Sequence, residues 1–216
     1  MLRISDITCE RDDRILFKGL SYDFPAGHIT QLEGRNGSGK TTLLRILSGL
    51  FTHYEGQVFW NDKAIAQHNL EFSHSLLYLG HKSAIKLNLT PVENLQFLIG
   101  LKQAITKDEI HHALEQVGLY GYENVLCRNL SAGQQRRVAL ASLYLSNATV
   151  LLLDEVFTAI DKQGVIELET FLSKKAASGA TVILTTHHSL TIDNYSVLTL
   201  SDFALEEGLL DESAVD

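Results

Sequence analysis

Hydrophobic positions along the chain change period twice, and each change predicts a change of architecture. Residues 2–8 and 14–17 alternate apolar with polar and predict strands, joined by the charged turn Glu10-Arg11-Asp12-Asp13. Leu20 to Phe24 alternates again, Pro25-Ala26-Gly27 predicts a turn, and Ile29 to Glu33 a further strand. Leu43 to Leu47 is an apolar helix-like run that Gly49 closes, and strands follow at residues 56–60 and 76–79. The middle of the chain then reads as helical. Thr90-Pro91-Val92-Glu93 is a capping box with proline at the first helical position, heading the stripe Val92, Leu95, Leu98 and Ile99. A second box, Thr106 to Glu109, opens the run Ile110 to Val117, with Gly118 as its stop. After Val150 the strand signal returns: Val150 to Leu153 and Thr181 to Thr186 are apolar strands flanking a helix over Lys162 to Ala177. All-apolar strands belong to a parallel sheet covered on both faces. The pattern predicts one α/β domain over residues 1–216, with a helical lobe at about 82–148 inserted in it and a frayed acidic tail from Glu206 to Asp216.

Composition narrows the classes. With 26 acidic against 18 basic side chains the net charge is −8, so no basic field advertises nucleic acid. The two cysteines, Cys9 and Cys127, are far apart and read as inert small hydrophobes in a reducing compartment. No apolar run approaches the about 20 residues that span a bilayer, and Met1 to Asp6 lacks a signal-peptide pattern. A membrane role is therefore expected only through a partner.

The chemistry starts where the strand ending at Glu33 meets the helix. Gly34-Arg35-Asn36-Gly37-Ser38-Gly39-Lys40-Thr41-Thr42 is G-x-x-x-x-G-K-T between a strand and a helix, the phosphate-binding P-loop. Its glycines let backbone N–H groups converge on phosphate oxygens, and the helix start adds free donors and a positive dipole end. Lys40 is expected to reach the β- and γ-phosphates and the Thr41 hydroxyl to ligate Mg²⁺. Downstream, Val150 to Leu153 ends in Asp154-Glu155. Carboxylates ending a buried strand need a counter-charge, which Mg²⁺ and Lys40 would supply. Asp154 is then expected to hold the metal and Glu155 to orient or deprotonate the attacking water. A third feature is Leu130-Ser131-Ala132-Gly133-Gln134-Gln135-Arg136-Arg137, a serine N-cap with glycine in the first turn: a second anion-binding helix start.

That last motif, ahead of a strand ending in two carboxylates, resembles the signature of ATP-binding-cassette (ABC) ATPases. The resemblance covers residues 2 to 200. It implies a P-loop ATPase fold with a mostly parallel core sheet, N-terminal antiparallel strands and the inserted helical lobe. It also implies an ATP-dependent head-to-tail homodimer, in which Ser131, Gly133 and Gln134 of one copy close over ATP held by residues 34–42 of the other. Ala159-Ile160-Asp161 resembles the D-loop along that seam, and His187 the switch histidine that contacts the γ-phosphate. Three positions depart from the family pattern. His81 stands where a glutamine is usual and would reach Mg²⁺ through imidazole. Arg11 replaces the aromatic that stacks on adenine and offers a guanidinium plane instead. Val156 replaces a proline, from which a less firmly held Glu155 is expected.

His81, Cys9-Glu10-Arg11-Asp12 and the run Ser131 to Leu140 are most similar to the ATP-binding subunits of cytochrome c maturation systems. This implies an ATPase on the cytoplasmic face of a bacterial inner membrane, working on an integral membrane permease subunit for haem-chaperone release or haem export. Direct haem binding is not expected, since C-x-x-C-H is absent. The helical lobe's apolar stripe and the loop from His81 to Leu89 are the expected docking surface. The alternatives are the ATPase of a different ABC exporter, a soluble non-transport ABC ATPase, a P-loop kinase, or a cassette that binds ATP without hydrolysing it.

Overall fold

The strands assemble into two sheets. The computed structural model describes residues 1–65, 70–158 and 160–204. Ala159 of the expected D-loop and the expected tail over Glu206 to Asp216 lie outside them. Strands β1 (Leu2–Arg11) and β2 (Arg14–Phe24) pair antiparallel with Arg11 opposite Arg14. The two residues between them, Asp12 and Asp13, both have positive φ, 52° and 59°. Two left-handed residues form the tight hairpin turn whose twist matches that of the strands. The segments 14–17 and 20–24 are thus one strand, bent by an irregular register near Gly19 (φ 66°). With β4 (Glu55–Trp60) and β5 (Lys63–Ala64) they form an antiparallel sheet ordered β2-β1-β4-β5.

The second sheet is wholly parallel. Its strands are β3 (Ile29–Glu33), β6 (Leu76–Leu79), β7 (Val150–Asp154), β8 (Thr181–Thr185) and β9 (Tyr195–Thr199), in the order β6-β7-β8-β3-β9. Every residue of β7 and β8 is buried. Period-two geometry divides their side chains between two cores. Leu151, Leu153, Val182 and Leu184 face one that includes residues of α5 (Ala132–Leu145) and α6 (Lys162–Ala177). Val150, Leu152 and Ile183 face the other, with α1 (Lys40–Leu47) and the antiparallel sheet. Each such buried leucine or isoleucine contributes about 1.5–3 kcal/mol. Trp60 packs in the second core against Phe72 of α2 (Leu70–Ser75), ring centres 5.5 Å apart. The sequence reading missed both α2 and β9.

Helices α3 (Pro91–Gly100) and α4 (Lys107–Gln116) start at Thr90 and Thr106, each with both halves of its capping box formed. The α3 stripe does not serve as the docking surface expected of it. Leu95 and Ile99 are buried, and Val92 and Leu98 pack against the same core, so this stripe is the lobe's inner face. The large hydrophobic side chain that α3 leaves to solvent is Phe97, with Leu101 beyond its end and Leu87 in the preceding loop.

Gly56 lies in β4 at the irregular register facing Asp6 of β1. Its φ is 94°, and a Cβ there would run into the Asp6 carbonyl. We predict that Gly56→Ala destabilises the fold by about 2 kcal/mol or more, from a left-handed alanine plus backbone overlap. The midpoint of chemical denaturation measures it.

Candidate active site

The carboxyl ends of β3, β6, β7 and β8 converge, and the loops leaving them line a cavity of about 660 Å³. Ligands of open parallel sheets bind at such strand ends. Its wall includes Lys40 and Thr41 after β3, His81 after β6, Asp154 and Glu155 from β7, and His187 after β8. Arg11, at the β1–β2 hairpin, lines it from the other sheet.

The P-loop is shaped for an anion. Gly34, Gly37 and Gly39 have φ of 152°, 83° and 98°. A Cβ on Gly39 would meet the Phe17 ring at 2.8 Å. Gly39 caps α1 without any side-chain hydrogen bond, and the first turn holds no acidic residue, so the leading N–H groups lack an internal partner. The Ser38 hydroxyl is buried and makes no hydrogen bond within the chain. An orphaned donor among free backbone donors fits phosphate oxygens. Lys40 Nζ meanwhile donates to the carbonyls of Gly34 at 2.6 Å and Arg35 at 3.2 Å. It is therefore not the counter-charge of Asp154 that the sequence suggested.

Hydroxyls satisfy the lone pairs of that carboxylate instead. Asp154 is 2 % exposed; Thr41 Oγ1 donates to its Oδ2 and Thr185 Oγ1 to its Oδ1, each at 2.8 Å. One hydroxyl and one carboxylate oxygen side by side fit Mg²⁺, which takes few protein ligands and keeps water or phosphate oxygens for the rest. Thr41 and Asp154 could hold it. His81 lines the same cavity, but among the described residues no three His, Cys, Asp or Glu side chains group as a metal site. Glu155 has φ 52°, and its Oε1 stands 3.6 Å from His187 Nε2. The looseness expected from Val156 is not found. The Glu155 N–H donates to Thr185 Oγ1 at 2.9 Å, its carbonyl accepts from Thr158 Oγ1 at 2.8 Å, and Val156 is fully buried.

Arg136 is the residue that sequence reasoning passed over. It is 6 % exposed, and its guanidinium donates to Gly80 O at 2.6 Å and Asp154 O at 2.9 Å, with longer contacts to His81 O and Glu155 O. Burial pulls its pKa down, opposed by the charges of Asp154, Glu155 and Tyr78. The only signal available was its position five residues after Ser131, about 140° round the helix, so that it faces the sheet when Ser131 faces away. Ser131 caps α5, bonding the Gln134 N–H at 3.2 Å, and the Gln134 side chain accepts from the Ser131 N–H at 2.9 Å. This box uses two donors and leaves those of Ala132 and Gly133. Ser131, Gly133 and Gln134 are absent from the wall of the P-loop cavity, so a single copy does not bring the two anion-binding turns together.

Comparison with known proteins agrees with this geometry. The ABC transporter family profile matches residues 17–158. The chain belongs to the ABC transporter family. A cytochrome c biogenesis ATP-binding export protein, CcmA, from Hahella chejuensis is 52 % identical over 88 % of this chain and 90 % of its own length. CcmA of Yersinia pestis is 51 % identical over 91 % of this chain and 90 % of its own. Among solved structures, a putative ABC transporter ATP-binding protein from Pyrococcus furiosus superposes with a TM-score of 0.80 at 24 % identity, covering 94 % of this chain and 99 % of that one. A dimeric ATP-binding cassette solved with ADP and phosphate gives 0.77 at 23 % identity, over 87 % and 88 %. At that identity the likeness is one of fold, and it is the ABC ATPase fold.

Arg136→Lys keeps a charge in this ABC cassette but removes the fork that spans two strand ends. We predict a loss of about 2–4 kcal/mol, the cost of leaving buried partners unpaired, read from urea unfolding. Arg136→Gln should lose at least as much.

Proposed function

We propose that this chain is the ATP-hydrolysing subunit of an ABC transporter complex that serves cytochrome c maturation. The carrying observation is the cavity where Lys40, Thr41, Asp154, Glu155 and His187 meet, on a chain about half identical to CcmA proteins. ATP enters with its phosphates over residues 34–42 and its base toward Arg11, whose guanidinium plane stacks on adenine. Lys40 leaves the Gly34 and Arg35 carbonyls for the β- and γ-phosphates. Thr41 and Asp154, with His81 nearby, would hold Mg²⁺, which would supply charge compensation to the phosphates. Glu155 takes a proton from the attacking water, whose oxygen bonds the γ-phosphorus as the bond to the β-phosphate oxygen breaks. His187 donates to the γ-phosphate oxygens. Products are ADP and phosphate.

The signature turn completes the site from a second copy. Ser131 and the free N–H of Gly133 face the γ-phosphate bound to the other chain, in a turn that Gln134 shapes, giving the head-to-tail dimer. The membrane partner is an integral permease subunit, CcmB-like in this reading, at the cytoplasmic face of the inner membrane. The loop from His81 to Leu89, with exposed Leu87 and Phe97, replaces the buried α3 stripe as the surface offered to it. Haem itself and nucleic acid are not ligands of this chain.

Glu155→Gln should lower turnover by about 10²–10⁴ while Mg-ATP binding persists and an ATP-dependent dimer accumulates. Turnover assays, equilibrium binding and gel filtration read these. The same variant, tagged in its native cell, trapped with Mg-ATP and gently solubilised, should bring cytochrome c maturation membrane subunits with it. A different permease would discard the maturation role, and no membrane protein at all would discard the transporter reading.

A further inference from the structure

Two adjacent histidines leave β8 in opposite directions. His187 turns toward Glu155 and the cavity, and its side chain is 67 % exposed, so little packing of its own sets its aim. His188 turns the other way. Its Nε2 lies 3.7 Å from Glu169 Oε1, and its ring centre is 5.7 Å from that of Phe157, which follows Glu155 in the β7 turn. Glu169 sits on α6 and is 3 % exposed, a buried acid with no part in the reaction above. Oε1 also accepts the Thr191 N–H at 3.1 Å, and Oε2 accepts the Thr191 hydroxyl. The carboxylate thus bonds Thr191 at one end of segment 188–191 and lies beside His188 at the other. Its helix is fixed by Leu168 and Leu172, buried in the core under the parallel sheet. Taking a carboxylate out of water is costly unless its lone pairs are used. Here they are used on the loop that carries His187.

We propose that Glu169 is a positioning residue: by holding Thr191 and His188 against α6, it fixes where the backbone leaves β8 and hence where His187 stands relative to Glu155. The inference rests on the hydrolysis reading. The loop 186–191 is pinned behind by α6 and, at its start, by the His188 N–H donating to Thr186 Oγ1 at 2.8 Å. Releasing the rear anchor leaves the P-loop, Asp154 and Glu155 intact. It should therefore affect the chemical step and not nucleotide capture.

The test uses full-length chain, Glu169→Gln, which keeps shape and removes charge, and Thr191→Val, which removes one donor at an exposed position. The expected result is a kcat for ATP lower by about tenfold in Glu169→Gln and about threefold in Thr191→Val, with Mg-ATP affinity within about twofold of wild type. Amide exchange at residues 187–191 should rise in both. If Glu169→Gln does not fold, Thr191→Val decides alone. Unchanged kcat in the folded variants, or an equal fall in ATP affinity, overturns the inference while wild-type turnover stands. Wild-type turnover that is absent, or that survives Glu155→Gln, overturns the hydrolysis reading and takes this one with it.

Discussion

A guanidinium withdrawn from water at the junction of three elements sets the terms for the rest of this cassette. Arg136 arrives on α5 and ends on carbonyls at the tips of β6 and β7. Polar groups at such strand ends have no further ladder to join, and burying them unpaired would cost a kcal/mol or more each. A forked, permanently charged side chain satisfies several at once, as lysine's single ammonium does not. The bond is also mechanical. Arg136 lies five residues from Ser131, so the turn facing outward and the strand ends facing the cavity belong to one rigid connection. A displacement of α5 carries both.

Hydroxyl groups perform the finer adjustment. Thr185 donates to Asp154 and accepts from the Glu155 amide, tying two neighbouring strands at the point where β7 turns into a left-handed residue. Left-handed backbone in a non-glycine residue persists only where the surroundings hold it. With Arg136 and Thr158 on its carbonyl, Glu155 is held without the proline usual in the family. The backbone geometry at Glu155 is thus distributed over several hydrogen bonds and does not hang on residue 156 alone.

Much of this was legible in the sequence. The G-x-x-x-x-G-K-T loop, the Val150 to Glu155 strand and both capping boxes are short-range signals whose meaning is fixed by backbone geometry. Strands β7 and β8 were legible because a strand buried on both faces is nearly all apolar, with few polar positions to confuse its pattern. What escaped depends on neighbours far along the chain. The stripe of α3 says that a face must be covered, yet not by what; its cover is the chain's own core. Arg136 stands beside Arg137 in a basic pair that reads as solvated, and only the approach of β6 and β7 buries it. β9 and α2 are short, half-exposed elements whose local pattern competes poorly with that of a loop. Lys40 was expected, with Mg²⁺, to offset the charge of Asp154 and Glu155, whereas the nearer carbonyls of Gly34 and Arg35 take its ammonium.

The cavity takes its walls from two separate layers: the hairpin bearing Arg11 belongs to the antiparallel sheet, while residues 34–42, Asp154 and His187 belong to the parallel one. Sequence drift can then act on the two ends of a bound nucleotide independently. The hairpin tip is a two-residue turn at the rim, where a changed side chain disturbs no strand of the parallel sheet. An arginine where the family pattern has an aromatic ring is the sort of exchange such a division permits: a side chain at the hairpin tip can change without moving the strand ends that carry residues 34–42, Asp154 and His187.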